Sequence, residues 1–185
     1  MVLNTFRKEL NKVHVPESNQ TGFTLIELLT LLTVMTVLIS LAIPSMQHLW
    51  TENRVDSTVN NLMSGLYYAR SEAITRDENI VFCKSADQKT CGGQWGEGQI
   101  VLDHQGNVLR TFSQLPKTDA LYWNSSGGTD AGITWLPTGY TSAQRGSFYY
   151  CVKNADAQHS RTIVLLDTGR LYVSPMSEAD YQSHC

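Results

Sequence analysis

From Phe23 to Ile43 the chain is built from Leu, Ile, Val, Met, Ala, Ser and Thr, with Glu27 as its one charged side chain. At about 1.5 Å of rise per helical residue, such a run crosses the roughly 30 Å hydrocarbon layer of a bilayer, so it predicts a membrane-spanning helix. Pro44 closes the run. An interior proline kinks a membrane-proximal helix that neighbours can support, so the helix is expected to bend at Pro44 and continue. Beyond it, Val55, Val59, Leu62, Met63, Leu66, Ala69, Ala73 and Ile74 recur at three- and four-residue steps. Glu52, Arg54, Asp56, Arg70, Glu72 and Arg76 lie mostly on the other side, with Glu72 and Arg76 spaced for an i,i+4 ion pair. The pattern predicts one helix from about Thr24 to Arg76, on the order of 80 Å long. Its first half is hydrophobic all round; its second half has one apolar face for a sheet to cover.

After Asp77 the period becomes strand-like. Short β-branched or aromatic runs appear at Ile80–Cys83, Gln99–Leu102, Val108–Phe112, Leu121–Trp123, Ile133–Leu136, Phe148–Val152, Thr162–Leu166 and Leu171–Val173. Turn residues separate them. Asp103–Asn107 and Asp167–Gly169 read as hairpin turns and Asn124–Asp130 as an exposed loop. The fold class expected is α+β: a long N-terminal helix, membrane-embedded in its first half, packed on a C-terminal antiparallel β-sheet or β-sandwich head.

A carboxylate inside a membrane span costs on the order of 2.5–3.5 kcal/mol on insertion scales, so Glu27 calls for a partner. Upstream lie Arg7, Lys8 and Lys12 against Glu9 and Glu17, and no Lys or Arg follows until Arg54. The positive-inside bias therefore places the N-terminus in the cytoplasm and the remainder outside. In a secretory signal the small residue follows the apolar core; here Gly22 precedes it, so cleavage at this point spares the anchor.

The segment Gly22-Phe23-Thr24-Leu25-Ile26-Glu27-Leu28-Leu29 resembles the processing motif of type IV pilins and of the pseudopilins of type II secretion. The resemblance implies a prepilin peptidase that cuts between Gly22 and Phe23 and methylates the new amino terminus of Phe23. It also implies that Glu27 neutralises the terminal amine of a neighbouring subunit, which supplies the missing partner.

Loss of residues 1–22 removes three of 14 basic and two of 17 acidic side chains, leaving a net charge of −4 with His neutral. Nothing global favours nucleic acid. Cys83, Cys91, Cys151 and Cys185 form an even set on the oxidising side of the membrane. The Cys83 to Cys91 spacing exceeds a zinc half-site and no His pair stands nearby, so disulfides are expected. Four cysteines allow three connectivities. Cys83–Cys91 with Cys151–Cys185 is favoured because each closes a loop around a Gly-rich or polar segment, worth roughly 2.6 and 3.8 kcal/mol by chain entropy.

Arg70-Ser71-Glu72-Ala73-Ile74 near the helix end, then Cys83, Trp95-Gly96-Glu97-Gly98 and a late Gly169-Arg170, extend the resemblance to FimU/FimT-type minor pilins and GspH-like pseudopilins. The resemblance implies a head of a β-sandwich or two small sheets. Some FimT-like pilins bind DNA through a basic G-R-x-R turn; here the segment is Gly169-Arg170-Leu171-Tyr172, without the second arginine. Arg161 and Arg170 are the late cations that would touch phosphate, beside Asp167, Glu178 and Asp180, and strong binding is not expected.

His14, His48, His104, His159 and His184 are scattered, and no nucleophile elbow, phosphate loop or H-E-x-x-H helix occurs, so no enzyme, cofactor or metal site is expected. Gly92, Gly93 and Gly96 around Trp95 read as conformational, and Trp123 and Trp135 as core. The expected organisation is a leader over 1–22, a transmembrane helix over 23–43, its amphipathic continuation over 44–78 and a head over 79–185. The resemblance implies an inner-membrane, single-pass precursor that enters a filament with a major pilin, other minor pilins and a PilY-type tip adhesin. A type II secretion pseudopilin and a DNA-binding pilin for transformation are the alternatives.

Overall fold

The computed structural model describes residues 22–127, 132–152 and 157–185, with the backbone alone at 44, 45, 47 and 48. The leader before Gly22, the end of the predicted loop at Gly128–Asp130 and the side chain of Pro44 lie outside the described residues. Two compact units divide the chain, Met1–Ser45 and Met46–Cys185.

Helix α1 runs Leu25–Arg76, 52 residues, with helical backbone through position 44. Thr24 is its cap: the Thr24 carbonyl accepts from the amides of Glu27 and Leu28 at 3.1 and 3.2 Å. Along the first unit, hydroxyls turn back onto the helix. Thr30 donates to the Glu27 carbonyl at 2.9 Å, Thr33 to Thr30 at 2.8 Å, Thr36 to Thr33 at 2.8 Å and Ser40 to Val37 at 2.7 Å. Each hydroxyl is thereby satisfied without water. The helix ends where Asp77 turns left-handed at φ 56° and the Glu78 amide reaches back to the Ala73 carbonyl at 3.3 Å. A short polar side chain tolerates that conformation better than most.

Among the described residues of the second unit eight strands follow: β1 Ile80–Lys84, β2 Gln99–Leu102, β3 Val108–Phe112, β4 Asp119–Ser125, β5 Gly132–Trp135, β6 Gly146–Val152, β7 Arg161–Leu165 and β8 Leu171–Pro175, then helix α2 Glu178–His184. They form two four-stranded sheets, ordered β3-β2-β1-β5 and β4-β6-β7-β8, antiparallel throughout. A single hydrophobic cluster joins both sheets to α1. Val55, Val59, Leu62, Leu66, Ala69 and Ala73 are the buried stripe of the helix, facing Phe82, Ile133 and Trp135 of one sheet and Leu121, Phe148 and Ile163 of the other. Each fully buried aliphatic or aromatic side chain here contributes about 1.5–3 kcal/mol. Gly65 permits the close approach: a Cβ there would stand 2.8 Å from Phe82 and 2.9 Å from Phe112.

Three details depart from the pattern-based reading. Ile74, expected on the apolar face, is 52 % exposed, because adjacent helical residues lie about 100° apart and Ala73 takes the core position. Asn124 and Ser125, expected in a loop, pair with Ser147 and Gly146 as the end of β4. Helix α2 was not anticipated; its signal is Ser177, whose hydroxyl accepts from the Asp180 amide at 3.1 Å, a short-range cap of the ordinary kind.

The outer edge of β5 is closed partly by backbone, with Trp135 bridged to Thr141 and the Ser142 amide donating to the Thr134 carbonyl at 2.9 Å, and partly by a side chain. Gln144, buried, accepts from the Thr134 amide at 2.6 Å and donates to the Gly132 carbonyl at 2.8 Å, satisfying the groups a further strand would have paired.

Candidate functional site

In the first unit no described atom lies within 4 Å of where a Cβ on Gly22 would stand, and Phe23, just ahead of the first helical turn, is 75 % exposed. Glu27 is the acid of that turn. Its amide lies 3.4 Å from the Thr24 hydroxyl, and that hydroxyl lies 3.5 Å from the Glu27 carboxylate. Thr24-x-x-Glu27 is thus a capping-box spacing with long, weak contacts, one the sequence reading did not single out. The carboxylate makes no ion pair among the described residues. Leu25–Ile43 is long and apolar enough to cross a membrane, and every side chain described along it is exposed. None of the described residues of its own unit covers the apolar surface.

In the second unit the four cysteines form two bridges. Cys83 joins Cys91 with Cα atoms 5.6 Å apart, and Cys151 joins Cys185 at 5.7 Å. Within the first loop, Asp87 gathers the backbone: its carboxylate accepts from the amides of Lys89 and Thr90 at 2.9 and 2.8 Å and from the hydroxyls of Thr90 and Ser85 at 2.8 and 3.0 Å. Those donors, the Thr90 and Lys89 amides foremost, hold the Asp87 carboxyl well below the ordinary range. The second bridge fastens α2 beside β6, where the His184 ring stacks on Tyr149 at 3.9 Å.

Arg161 and Arg170 sit at opposite ends of the β7–β8 hairpin, Arg161 opposite Pro175 and Arg170 beside the closing pair Leu165–Leu171. Arg161 binds Glu52 of α1 at 2.8 Å, lies 3.8 Å from Asp56 and donates to the Gln158 carbonyl at 2.6 Å. Arg170 is exposed. The turn itself is tied to the helix, with Arg70 donating to the Gly169 carbonyl at 2.8 Å.

A further polar cluster carried no sequence signal. The Asp119 side chain, fully removed from solvent, binds Arg54 at 2.9 Å and accepts from the Tyr150 hydroxyl. Burial first, and then the Asp119 carboxylate, push the Tyr150 phenol well above its usual value. Arg54 is on α1, Asp119 on β4 and Tyr150 on β6, so one carboxylate fastens the helix to the second sheet.

A continuous N-terminal helix with an apolar first half, followed by two small antiparallel sheets that share one core with its second half, is the architecture of the pilin class. The chain belongs to the GspH family: the family model described as Type II transport protein GspH matches residues 58–169. Among solved structures it is similar to the type IV minor pilin FimU of Pseudomonas aeruginosa, at 22 % identity and a TM-score of 0.53, covering 66 % of this chain and 90 % of that one. It also aligns with the minor pseudopilin EpsH from the type 2 secretion system of Vibrio cholerae, at 11 % identity and a TM-score of 0.49, covering 66 % and 97 %. No curated protein matches the chain. As a GspH-like minor pilin, the protein is a subunit of a type IV pilus or of a type II secretion pseudopilus.

Proposed function

We propose that the protein is a minor pilin of a type IV pilus that takes part in filament assembly or priming as a structural subunit. The observation that carries this reading is Glu27: one carboxylate in the first turn of an apolar helix, without an ion-pair partner among the described residues. In the precursor the N-terminus lies in the cytoplasm, the helix spans the inner membrane and the head stands in the periplasm. Prepilin peptidase cuts after Gly22 and methylates Phe23. Glu27 then offsets the charged Phe23 amine of an adjacent subunit in apolar surroundings, where an unpaired charge is costly. That pairing sets the axial register against a major pilin, the other minor pilins and a PilY-type tip adhesin.

The family description favours a second reading, a type II secretion pseudopilin. The two head disulfides support the pilus instead. Glu27→Ala is expected to be cleaved normally yet to be missing from sheared filaments; normal incorporation refutes the role given to Glu27. Gly22→Ala should leave a full-length precursor. Deletion of the gene should abolish twitching and spare exoprotein secretion, and the reverse phenotype would assign the protein to the secretion system.

A further inference from the structure

Met46, Leu49 and Trp50 are 49, 55 and 68 % exposed, and the head packing does not account for them. About two and a half turns separate Trp50 from Val59, and the same interval separates Met46 from Val55, so these residues lie on the side of α1 opposite its buried stripe. Val55 and Val59 are in the core. The head is therefore on the wrong side of the helix to cover Met46 and Trp50. By three- and four-residue steps the stripe is the sequence continuation of Ile39 and Ile43, which are also exposed. It stops where charge begins: Glu52 is paired with Arg161 and Arg54 with Asp119.

We propose that Met46, Leu49 and Trp50 face lipid, with the Trp50 indole in the periplasmic headgroup layer of the inner membrane, while the subunit is still in the bilayer. The assignment rests on the reading of the chain as a membrane-anchored subunit. Indole suits this layer because its ring is apolar while its N–H can reach water or a headgroup oxygen, which is why tryptophan gathers at membrane boundaries. A helix stripe that ran on into lipid-like surroundings with no such side chain would fit a neighbouring helix as well. A tryptophan between the last apolar turn and the first ion pairs favours the interface. The consequence is a depth stop: the base of the head is held at the membrane surface, its ion pairs in water.

Of the four tryptophans, Trp95, Trp123 and Trp135 are buried, so Trp50 is the one whose emission answers to its surroundings. The full chain is reconstituted in phosphatidylcholine vesicles whose acyl chains carry bromine at shallow or deep positions, and tryptophan emission is read for wild type and Trp50→Phe. Shallow bromines should quench more strongly than deep ones, and Trp50→Phe should remove the lipid-dependent part. Quenching by aqueous acrylamide but not by either brominated lipid overturns the proposal. Protection from both quenchers, together with disulfide dimers of Met46→Cys, gives the stripe to a neighbouring helix and overturns it too. A chain that fails to float with the vesicles refutes the anchor itself, and that result is separate from an anchored chain whose Trp50 sees only water.

Discussion

Arg70 donates to the carbonyl of Gly169 at 2.8 Å across a sequence separation of 99 residues. The late Gly-Arg and the charged end of the helix are therefore one structural feature. Gly169 has φ 77°, and a Cβ there would stand 2.2 Å from the Gly139 carbonyl oxygen and 2.8 Å from the Trp135 ring. Only a residue without a side chain fits between helix, turn and core.

Gly169→Ala is accordingly expected to destabilise the head by about 2–3 kcal/mol, since left-handed strain adds to a backbone clash. Arg70→Ala should cost less, about 1–2 kcal/mol for one charge-assisted hydrogen bond. Urea denaturation followed by circular dichroism ranks the two, and equal losses would contradict the steric argument.

Removing a partner of Asp119 strands a buried carboxylate. Arg54→Ala should cost about 2–3 kcal/mol, below the full penalty for a broken buried pair because Arg54 is itself partly exposed. Tyr150→Phe should cost about 1–2 kcal/mol. The double variant should lose less than the sum, because both act on one group.

The two bridges should fail differently. Cys185→Ser frees α2 from β6, so amide exchange should accelerate over 178–184 while β1, β2 and β5 stay protected. Cys91→Ser should instead loosen the 85–92 segment. Each loss is on the order of 2–4 kcal/mol in global stability, read from thermal melts of the single variants.

Asp87 sets an acid limit on that segment. Its carboxyl is held well below the ordinary carboxylate range when folded, so the native state binds fewer protons than the unfolded chain as pH falls. Its contribution is complete above the unfolded value and declines as the pH drops through the acid range beneath it. Wild type and Asp87→Asn should therefore differ in denaturation midpoint at pH 6 and converge at strongly acid pH. A constant gap would mean that the carboxylate is not what orders the loop.

Amphipathic spacing in α1 and the alternating runs after Asp77 are local properties, legible because a helix or strand imposes its period on a few neighbouring residues whatever they later touch. The oily run, its lone Glu27 and the even set of cysteines are equally local, and the reading of membrane, processing and compartment comes from them. Tertiary structure alone decided that β5 joins β1 while β4 joins β6, that Ala73 rather than Ile74 enters the core, that Gln144 stands in for a strand and that Arg54, Asp119 and Tyr150 meet. None of these has a sequence period. Each depends on which distant backbone edge or buried atom would otherwise go unsatisfied, and that is settled only when the whole head packs.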